Sequence, residues 1–141
     1  MINQFPDISS CFLTKTSPQS IIRNHCGETN AHFRVHLGLY VPDVDSGTCG
    51  MEVKGHTIGW QNGKTFVFLD AHSHHVWNNS NEERYVLIVD LIRPEFFSKK
   101  KFICTRVIIS QLYFYSTSLI GAKWLYKIPA GVLDMLSLIH I

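Results

Sequence analysis

Short stretches of β-branched and aromatic residues, separated by polar turn formers, occupy the first two thirds of the chain. Segment 33–39 alternates apolar residues with the polar pair Arg34 and His36, which is the period-2 pattern of a strand. Further predicted strands are 49–53, 65–69 and 85–92. Asn62-Gly63 predicts a tight hairpin just before the second of these. The pattern as a whole favours an all-β sandwich or barrel.

The pattern changes after Pro94, and residues 102–141 are apolar and aromatic without a clear period. A membrane span requires about 20 consecutive apolar residues, and the run between Arg106 and Lys123 is shorter than that. A marginal membrane segment, an amphipathic surface helix and sequence foreign to the domain are all open interpretations. We therefore expect a core over residues 1–97 and a divergent apolar tail over residues 98–141.

Composition narrows the function classes without naming one. The 141 residues suit a single domain, and the formal charge of +2 is too small to indicate nucleic-acid binding. The four cysteines, Cys11, Cys26, Cys49 and Cys104, form no CxxC pair, so they predict neither a zinc site nor a disulfide framework. No signal-peptide pattern opens the sequence, and the compartment stays open.

Histidine is the residue type that first suggests chemistry, because seven of the eight histidines fall between His25 and His75. Imidazole is a common ligand of transition metals, although isolated histidines are usually surface or core residues. Non-haem iron oxygenases use two histidines and one carboxylate, and leave positions open for oxygen. The carboxylate expected two residues after His25 is replaced by Gly27, and Glu28 lies one residue late. Spacing alone therefore leaves both interpretations standing.

Arg34 and His36 add a second feature, since they lie on one face of the same predicted strand, about 7 Å apart. An arginine inside a barrel is costly unless it meets an anion. Its planar guanidinium matches a carboxylate, which suits a dicarboxylate ligand. Arg84, at the start of the last predicted strand, is a candidate second cation. A surface salt bridge is the alternative for each arginine.

Several ordered motifs resemble one family. HCGETN at 25–30 and FRVHLGLYVP at 33–42 are similar to the HxGPTN and RxHLGLxxP motifs of the aspartyl/asparaginyl β-hydroxylases. FLDAHSHHVWN at 68–78 resembles their FDDSFEHEVWN motif, and residues 84–95 resemble the arginine-to-HPE block. The resemblance covers about residues 14–96. One departure is Glu28, which stands where the family motif has proline.

The resemblance implies a double-stranded β-helix core, that is, a jelly-roll or cupin-like fold, with an incomplete barrel as an alternative because few residues precede His25. It implies an Fe(II)- and 2-oxoglutarate-dependent dioxygenase in which His25 and His74 bind iron and Gly27 replaces the carboxylate. The residues that it assigns to 2-oxoglutarate are Arg34, His36, Arg84 and, upstream of the first histidine, Thr14. It assigns no catalytic residue beyond these ligands.

The implied reaction hydroxylates a peptidyl Asp or Asn with O2 and releases succinate and CO2, a lipid acyl chain being the alternative substrate. The resemblance also suggests the endoplasmic reticulum membrane, although the sequence shows no anchor before the motifs. A catalytically silent variant that keeps the fold and metal, and an unrelated small β-barrel, are the rival hypotheses. Of the other histidines, structural roles are expected for His72 and His75, and surface positions for His32, His56 and His140.

Overall fold

The fold is that of a computed structural model, which describes residues 7–118 and, within the last helix, no side chains beyond residue 112. The described chain contains eight strands, one 3-10 helix and one α-helix. They are β1 (Ile8–Thr16), β2 (Ser20–His25), β3 (His32–Tyr40), β4 (Cys49–Val53), β5 (His56–Gly59), β6 (Thr65–Leu69), β7 (His74–Asn78), β8 (Arg84–Ile92), the 3-10 helix Pro94–Lys99 and α1 (Lys100–Ser118).

The strands form two four-stranded sheets, with the orders β1-β8-β3-β6 and β2-β7-β4-β5. Every pairing within them is antiparallel. Apolar side chains from both sheets meet in one core, including Met51, Val76, Phe68 and Ile88. This is the jelly-roll arrangement, in which two sheets bury their inner faces against each other. The predicted all-β fold class is confirmed.

The alternation in segment 33–39 is reproduced in β3, but with polar residues facing inwards. His36 is buried, whereas Phe33 and Leu39 on the opposite face are 39% and 49% exposed. Antiparallel register places Arg34 opposite Asp90 of β8 and His36 opposite Ile88. The inner face of this sheet is therefore where polar groups collect.

The hairpin predicted at Asn62-Gly63 is wrong. The tight turn instead lies at Lys54-Gly55, where φ angles of 49° and 81° suit a left-handed turn, and it joins β4 to β5. A turn does form from Gln61 to Lys64. It connects strands of different sheets, so the flanking segments cannot pair.

The described part of the tail is a helix that packs on the barrel. Ile103 is fully buried in α1 and forms a small core with Ala31 and Ile92. Other apolar side chains of α1 stay exposed, among them Phe102 and Leu112 at 56% and 65%. Over residues 7–118, no helix combines the length and hydropathy needed to cross a bilayer. Residues 119–141 of the predicted tail lie outside the described range.

Candidate metal and co-substrate site

His25 and His74 form a cross-strand pair. The register of β2 and β7 sets the two residues opposite each other, and their ring centroids are 4.2 Å apart at an angle of 55°. A register shift between Ile22 and His25 precedes the contact. Residues 49 positions apart in the sequence thus present two imidazoles at one point, as the predicted metal pair requires.

Both imidazoles are held in the same tautomer by the backbone. Nδ1 of His25 lies 2.8 Å from the carbonyl of Arg23, and Nδ1 of His74 lies 2.7 Å from that of His72. Since a carbonyl only accepts hydrogen bonds, each Nδ1 carries the proton and each Nε2 keeps its lone pair. Burial also lowers the pKa of His74 and favours its neutral form. This is how metal-binding histidines are oriented in proteins.

Asp70 occupies the space that a side chain at Gly27 would need. A Cβ built on Gly27 would lie 1.7 Å from Oδ2 of Asp70, and the amide of Gly27 donates to the Asp70 carbonyl at 2.8 Å. Oδ1 of Asp70 is 3.8 Å from Nε2 of His74. A carboxylate is thus present beside the histidine pair, although the sequence has glycine at the expected position. Asp70 was not among the predicted site residues; its signal in the sequence was an acid four residues before His74.

Arg34 is already paired with protein carboxylates. Its Nε and Nη2 donate to the two oxygens of Asp90 at 2.7 and 2.9 Å, and its Nη1 donates to Asp70 at 2.7 Å. Burial alone would raise the pKa of Asp90, but the bonds and charge of Arg34 outweigh it and lower that pKa. The anion expected for Arg34 is therefore supplied by the chain itself. Contact between Arg34 and 2-oxoglutarate stays a prediction. The argument from an unpaired charge no longer supports it, because Arg34 is paired with Asp70 and Asp90.

One cavity of about 220 Å³ between the sheets brings the predicted site residues together. Strands of both sheets line it, and β1 and β2, which contribute to it, are sheet-edge strands. The six residues predicted to bind metal or co-substrate all line this cavity: Thr14, His25, Arg34, His36, His74 and Arg84. We call it the anion cavity, because its lining, among the described residues, includes Lys15 and the two arginines but no carboxylate.

Arg84 is the buried cation of this cavity that lacks an acidic partner. It is 3% exposed; its Nη1 donates to the carbonyl of Trp77 at 3.1 Å and its Nη2 to Oγ1 of Thr16 at 2.9 Å. Its guanidinium lies 3.8 Å from the ring centroid of Trp60. No carboxylate of residues 7–118 pairs with it. Burial lowers the pKa of Arg84 to about 10, so the positive charge persists at neutral pH.

His36 is a buried imidazole with neither nitrogen hydrogen-bonded within the described chain. Its ring stacks on Trp60 at a centroid distance of 5.8 Å and a 15° angle. Burial, and then the charges of Arg34 and Arg84, lower the pKa of His36 to about 3. A neutral imidazole has one donor and one acceptor, and unpaired buried groups of this kind are rare without a ligand or water.

The hydroxyl groups of Thr14 and Thr16, at the end of β1, have different hydrogen-bond partners. Oγ1 of Thr14 donates to the carbonyl of Val86 at 3.0 Å. Thr16, which the sequence analysis did not select, is directly opposite Arg84 in the sheet and accepts its hydrogen bond. The signal was available, because residues two apart on a strand share a face. Thr16 positions the guanidinium.

The remaining histidines lie outside the metal pair, and one of their predicted positions is wrong. The predicted surface position of His32 is wrong, because the residue is only 4% exposed. Its Nε2 has no hydrogen-bond partner in the described chain. The reason is its place at the start of β3, opposite Ile92 of the core beneath α1. His56 is exposed, as predicted, and His140 lies outside the described residues. His75 packs against Trp77, with ring centroids 5.2 Å apart.

No group of three or more His, Cys, Asp or Glu side chains within residues 7–118 is arranged to hold a metal ion. The protein nitrogens of His25 and His74 are therefore the donor set that the described chain offers. Two imidazoles with free Nε2 lone pairs suit a transition metal such as iron. By the chemistry of these donors, the residues fit the metal that the sequence predicted.

Comparisons with known proteins show the family of this chain. The sequence profile described as aspartyl/asparaginyl beta-hydroxylase matches residues 1–94. The ornithine lipid ester-linked acyl 2-hydroxylase of Rhizobium tropici is 31% identical over 93 residues, which is 66% of this chain and 33% of that protein. The human aspartyl/asparaginyl beta-hydroxylase is 30% identical over 100 residues, 67% of this chain and 13% of that protein. This chain thus spans a third or less of these relatives.

The solved cupin domain of Cnp3 from Schizosaccharomyces pombe matches with a TM-score of 0.52 at 7% identity, over 69% of this chain and 64% of that one. At such low identity the match concerns the fold alone, and it agrees with the jelly-roll expectation. The family assignment rests on the sequence profile, which covers the strands that carry the three histidines and two arginines of the cavity. By that match, the chain belongs to the aspartyl/asparaginyl beta-hydroxylase family.

Proposed function

We propose that this protein is an Fe(II)- and 2-oxoglutarate-dependent dioxygenase that hydroxylates its substrate and releases succinate and CO2. The observation that carries the proposal is the anion cavity, which joins a pair of metal-type histidines to a buried arginine without an acidic partner. Metal and dicarboxylate sites in one shared cavity are what this chemistry requires.

The iron would be held by Nε2 of His25 and of His74, with its other ligands from water and the co-substrate. When bound, Fe(II) supplies the one-electron chemistry that activates O2. The protein's part is to keep each Nε2 unprotonated, which the carbonyls of Arg23 and His72 do by holding Nδ1–H. Asp70, beside His74, offers a hydrogen-bond acceptor to a water at this point.

The 2-oxoglutarate would extend from the histidine pair towards Arg84. The guanidinium is buried, charged and held against Trp60, so it is preorganised to pair with the distal carboxylate. His36 supplies an unpaired donor or acceptor along the way. The cavity volume of about 220 Å³ exceeds the ~150 Å³ that accommodates a benzene-sized molecule.

The walls of the cavity between these groups are apolar. Ile22, Val76, Val86 and Ile88 line it together with Trp60. Such walls limit water around the reacting groups and strengthen the electrostatic contact between Arg84 and a carboxylate. The arrangement suits a reaction whose intermediates must not be quenched by solvent.

The substrate class follows from the relatives. We infer a peptidyl Asp or Asn, as in the name of the human relative. A lipid acyl chain is the second candidate, because the Rhizobium tropici relative is named as an acyl hydroxylase and aligns with a larger share of its own length. O2 is the co-reactant in either case.

Succinate release in a single turnover tests the proposal. The chain is incubated with Fe(II), ascorbate, O2 and 2-oxoglutarate, and succinate is quantified by mass spectrometry. Wild type should release succinate well above a His74→Ala variant, while His56→Ala, an exposed histidine outside the cavity, should match wild type. Equal background release from wild type and His74→Ala would instead identify the catalytically silent alternative.

A further inference from the structure

A second cavity of about 260 Å³ is lined in part by His25 and Arg34, which also line the anion cavity. Helix α1 forms one of its walls through Val107 and Gln111. Gly27 and Asp70, next to the histidine pair, form another. The second cavity therefore adjoins the histidine pair, as the anion cavity does.

The charge of this cavity is opposite to that of the first. Three carboxylates line it, those of Glu28, Asp70 and Asp90, against the single guanidinium of Arg34. Both oxygens of Asp90 are occupied by Arg34 and by Ser10, whose hydroxyl donates at 2.6 Å. Asp70 is paired with the same guanidinium, through Nη1 at 2.7 Å, so the negative charge without a charged partner is that of Glu28.

Two further observations show that the lining is short of positive charge and of hydrogen-bond partners. Burial raises the pKa of Glu28, although Arg34 and a hydrogen bond with Gln111 act to lower it, as expected for a carboxylate with too little counter-charge. His32, which is 4% exposed and lines the cavity, has an Nε2 without a partner in the described chain. Such an atom normally meets a ligand or water.

We propose that the second cavity binds a ligand through a primary ammonium group, which lies between Glu28 and Asp70 with His32 nearby. If the proposed function holds, on which this role rests, that ammonium belongs to the substrate and sets the carbon to be hydroxylated next to the histidine pair. Glu28 is the specificity-determining residue. It stands where the family motif has proline, so the preference is a property of this chain.

Other occupants fit the lining less well. A carboxylate would face three acids and one arginine, and it would be repelled. A metal ion would need a closer set of ligands, and none of three or more is present within residues 7–118. An apolar group would leave Nε2 of His32 without a partner, at a cost that an N–H donor avoids. The volume admits a group somewhat larger than benzene.

The test is a titration of the full chain, without added metal, with three ligands of equal length: pentylamine, pentan-1-ol and pentanoate. Binding is followed by NMR through the Gly27 amide, which lies at the cavity wall. At pH 7 pentylammonium should bind roughly tenfold more tightly than pentanol, the size of effect expected for a charge-assisted hydrogen bond. Pentanoate should bind most weakly. Equal affinities, or a preference for pentanoate, would overturn the proposal.

Variants at position 28 make the assignment specific. Glu28→Gln should remove most of the amine preference, while Glu52→Gln, the same change on β4 outside both cavities, should keep it. Glu28→Lys should reverse the preference in favour of pentanoate, a gain of binding that misfolding cannot imitate. An amine preference that survives both Glu28 changes would refute the role of this residue.

The outcome is independent of turnover. An ammonium preference without succinate release would overturn the proposed function and leave the cavity assignment standing. Succinate release from a chain that shows no ammonium preference would do the reverse.

Discussion

At the residue scale, Arg34 and Arg84 show how the same side chain takes two roles on one sheet. Arg34 on β3 lies opposite Asp90 on β8, and its guanidinium is paired with the carboxylates of Asp70 and Asp90. Arg84 faces Thr16 and, within residues 7–118, has only neutral partners and an aromatic ring. A buried guanidinium that lacks an anion is costly, so the two arginines differ in the charge that they leave for a ligand. Arg84 is therefore the anchor that we propose for a carboxylate.

Replacing Arg84 should therefore weaken 2-oxoglutarate binding. Removing one partner of a buried charge pair costs roughly 2 kcal/mol or more, so Arg84→Gln should raise the dissociation constant at least about tenfold. Isothermal titration with Mn(II) in place of Fe(II) measures this. Arg23→Gln, at an exposed position of β2, is the matched control. An unchanged affinity in Arg84→Gln would remove the residue from the co-substrate site.

His36 should make the protein less stable in acid. Its pKa is lowered from 6.5 to about 3, so between those values the unfolded chain binds a proton here and the folded chain does not. Stability from this residue is present above pH 6.5 and falls as the pH is lowered towards 3, by at most about 1.4 kcal/mol per pH unit.

Urea unfolding of wild type and His36→Gln at pH 4 to 6.5 measures the difference in slope. The variant should have the shallower dependence, and His56→Gln serves as the control. Equal slopes in wild type and His36→Gln would mean that His36 is protonated in the folded protein across this range.

Several site residues could be predicted from the sequence because the information that identifies them is local. Alternation in segment 33–39 places Arg34 and His36 on the inner face, and family motifs select His25 and His74 from a cluster of histidines. Thr16 and Asp70 were missed because their roles depend on cross-strand register and on the gap at Gly27. His32 was misplaced because no local pattern shows that α1 covers the end of β3.

At the element scale, the site depends on where one strand end meets the turn of another. The end of β2 and the turn before β7 are joined by the Gly27 amide and the Asp70 carbonyl, and the Asp70 carboxylate fills the space beside Gly27. The wrong hairpin prediction at Asn62-Gly63 also reflects long-range pairing. Turn residues predict a turn, but the sheet to which the following strand belongs is set by distant pairing.

Gly27→Ala should destabilise the protein by displacing Asp70 from Arg34. A cost of roughly 1–3 kcal/mol is expected for such overpacking. In an Asp70→Gly background the same substitution should cost much less, because the added methyl group then has room. A double-mutant cycle on urea unfolding measures the coupling. Additive effects would show that residue 27 and Asp70 do not compete for this space.

At the scale of the whole molecule, two cavities of opposite charge share the wall formed by His25 and Arg34. The barrel supplies the anion cavity, and α1 is needed to enclose the second one. The sequence predicted the all-β core from its period, and it left the tail open among three interpretations. Helix packing of that tail depends on a few contacts, notably Ile103 on Ala31 and Ile92, which no periodic pattern reveals.

If α1 is integral to the fold, Ile103→Ala should lower the free energy of unfolding by about 2–4 kcal/mol. Ile108→Ala, on the same helix but 56% exposed, should change it by less than about 0.5 kcal/mol. Urea denaturation followed by tryptophan fluorescence of the barrel measures both. The same small effect from the two variants would indicate that the helix is not part of the cooperative unit.

If the histidine pair binds the metal and Arg84 binds the 2-oxoglutarate that contacts this metal, the two ligands should bind with positive coupling. The most direct measurement is the dissociation constant of 2-oxoglutarate by isothermal titration, with and without Mn(II), in wild type and in His74→Ala. We predict that the metal tightens binding at least roughly tenfold in wild type and has no effect in His74→Ala. The same affinity with and without metal in wild type would contradict the account.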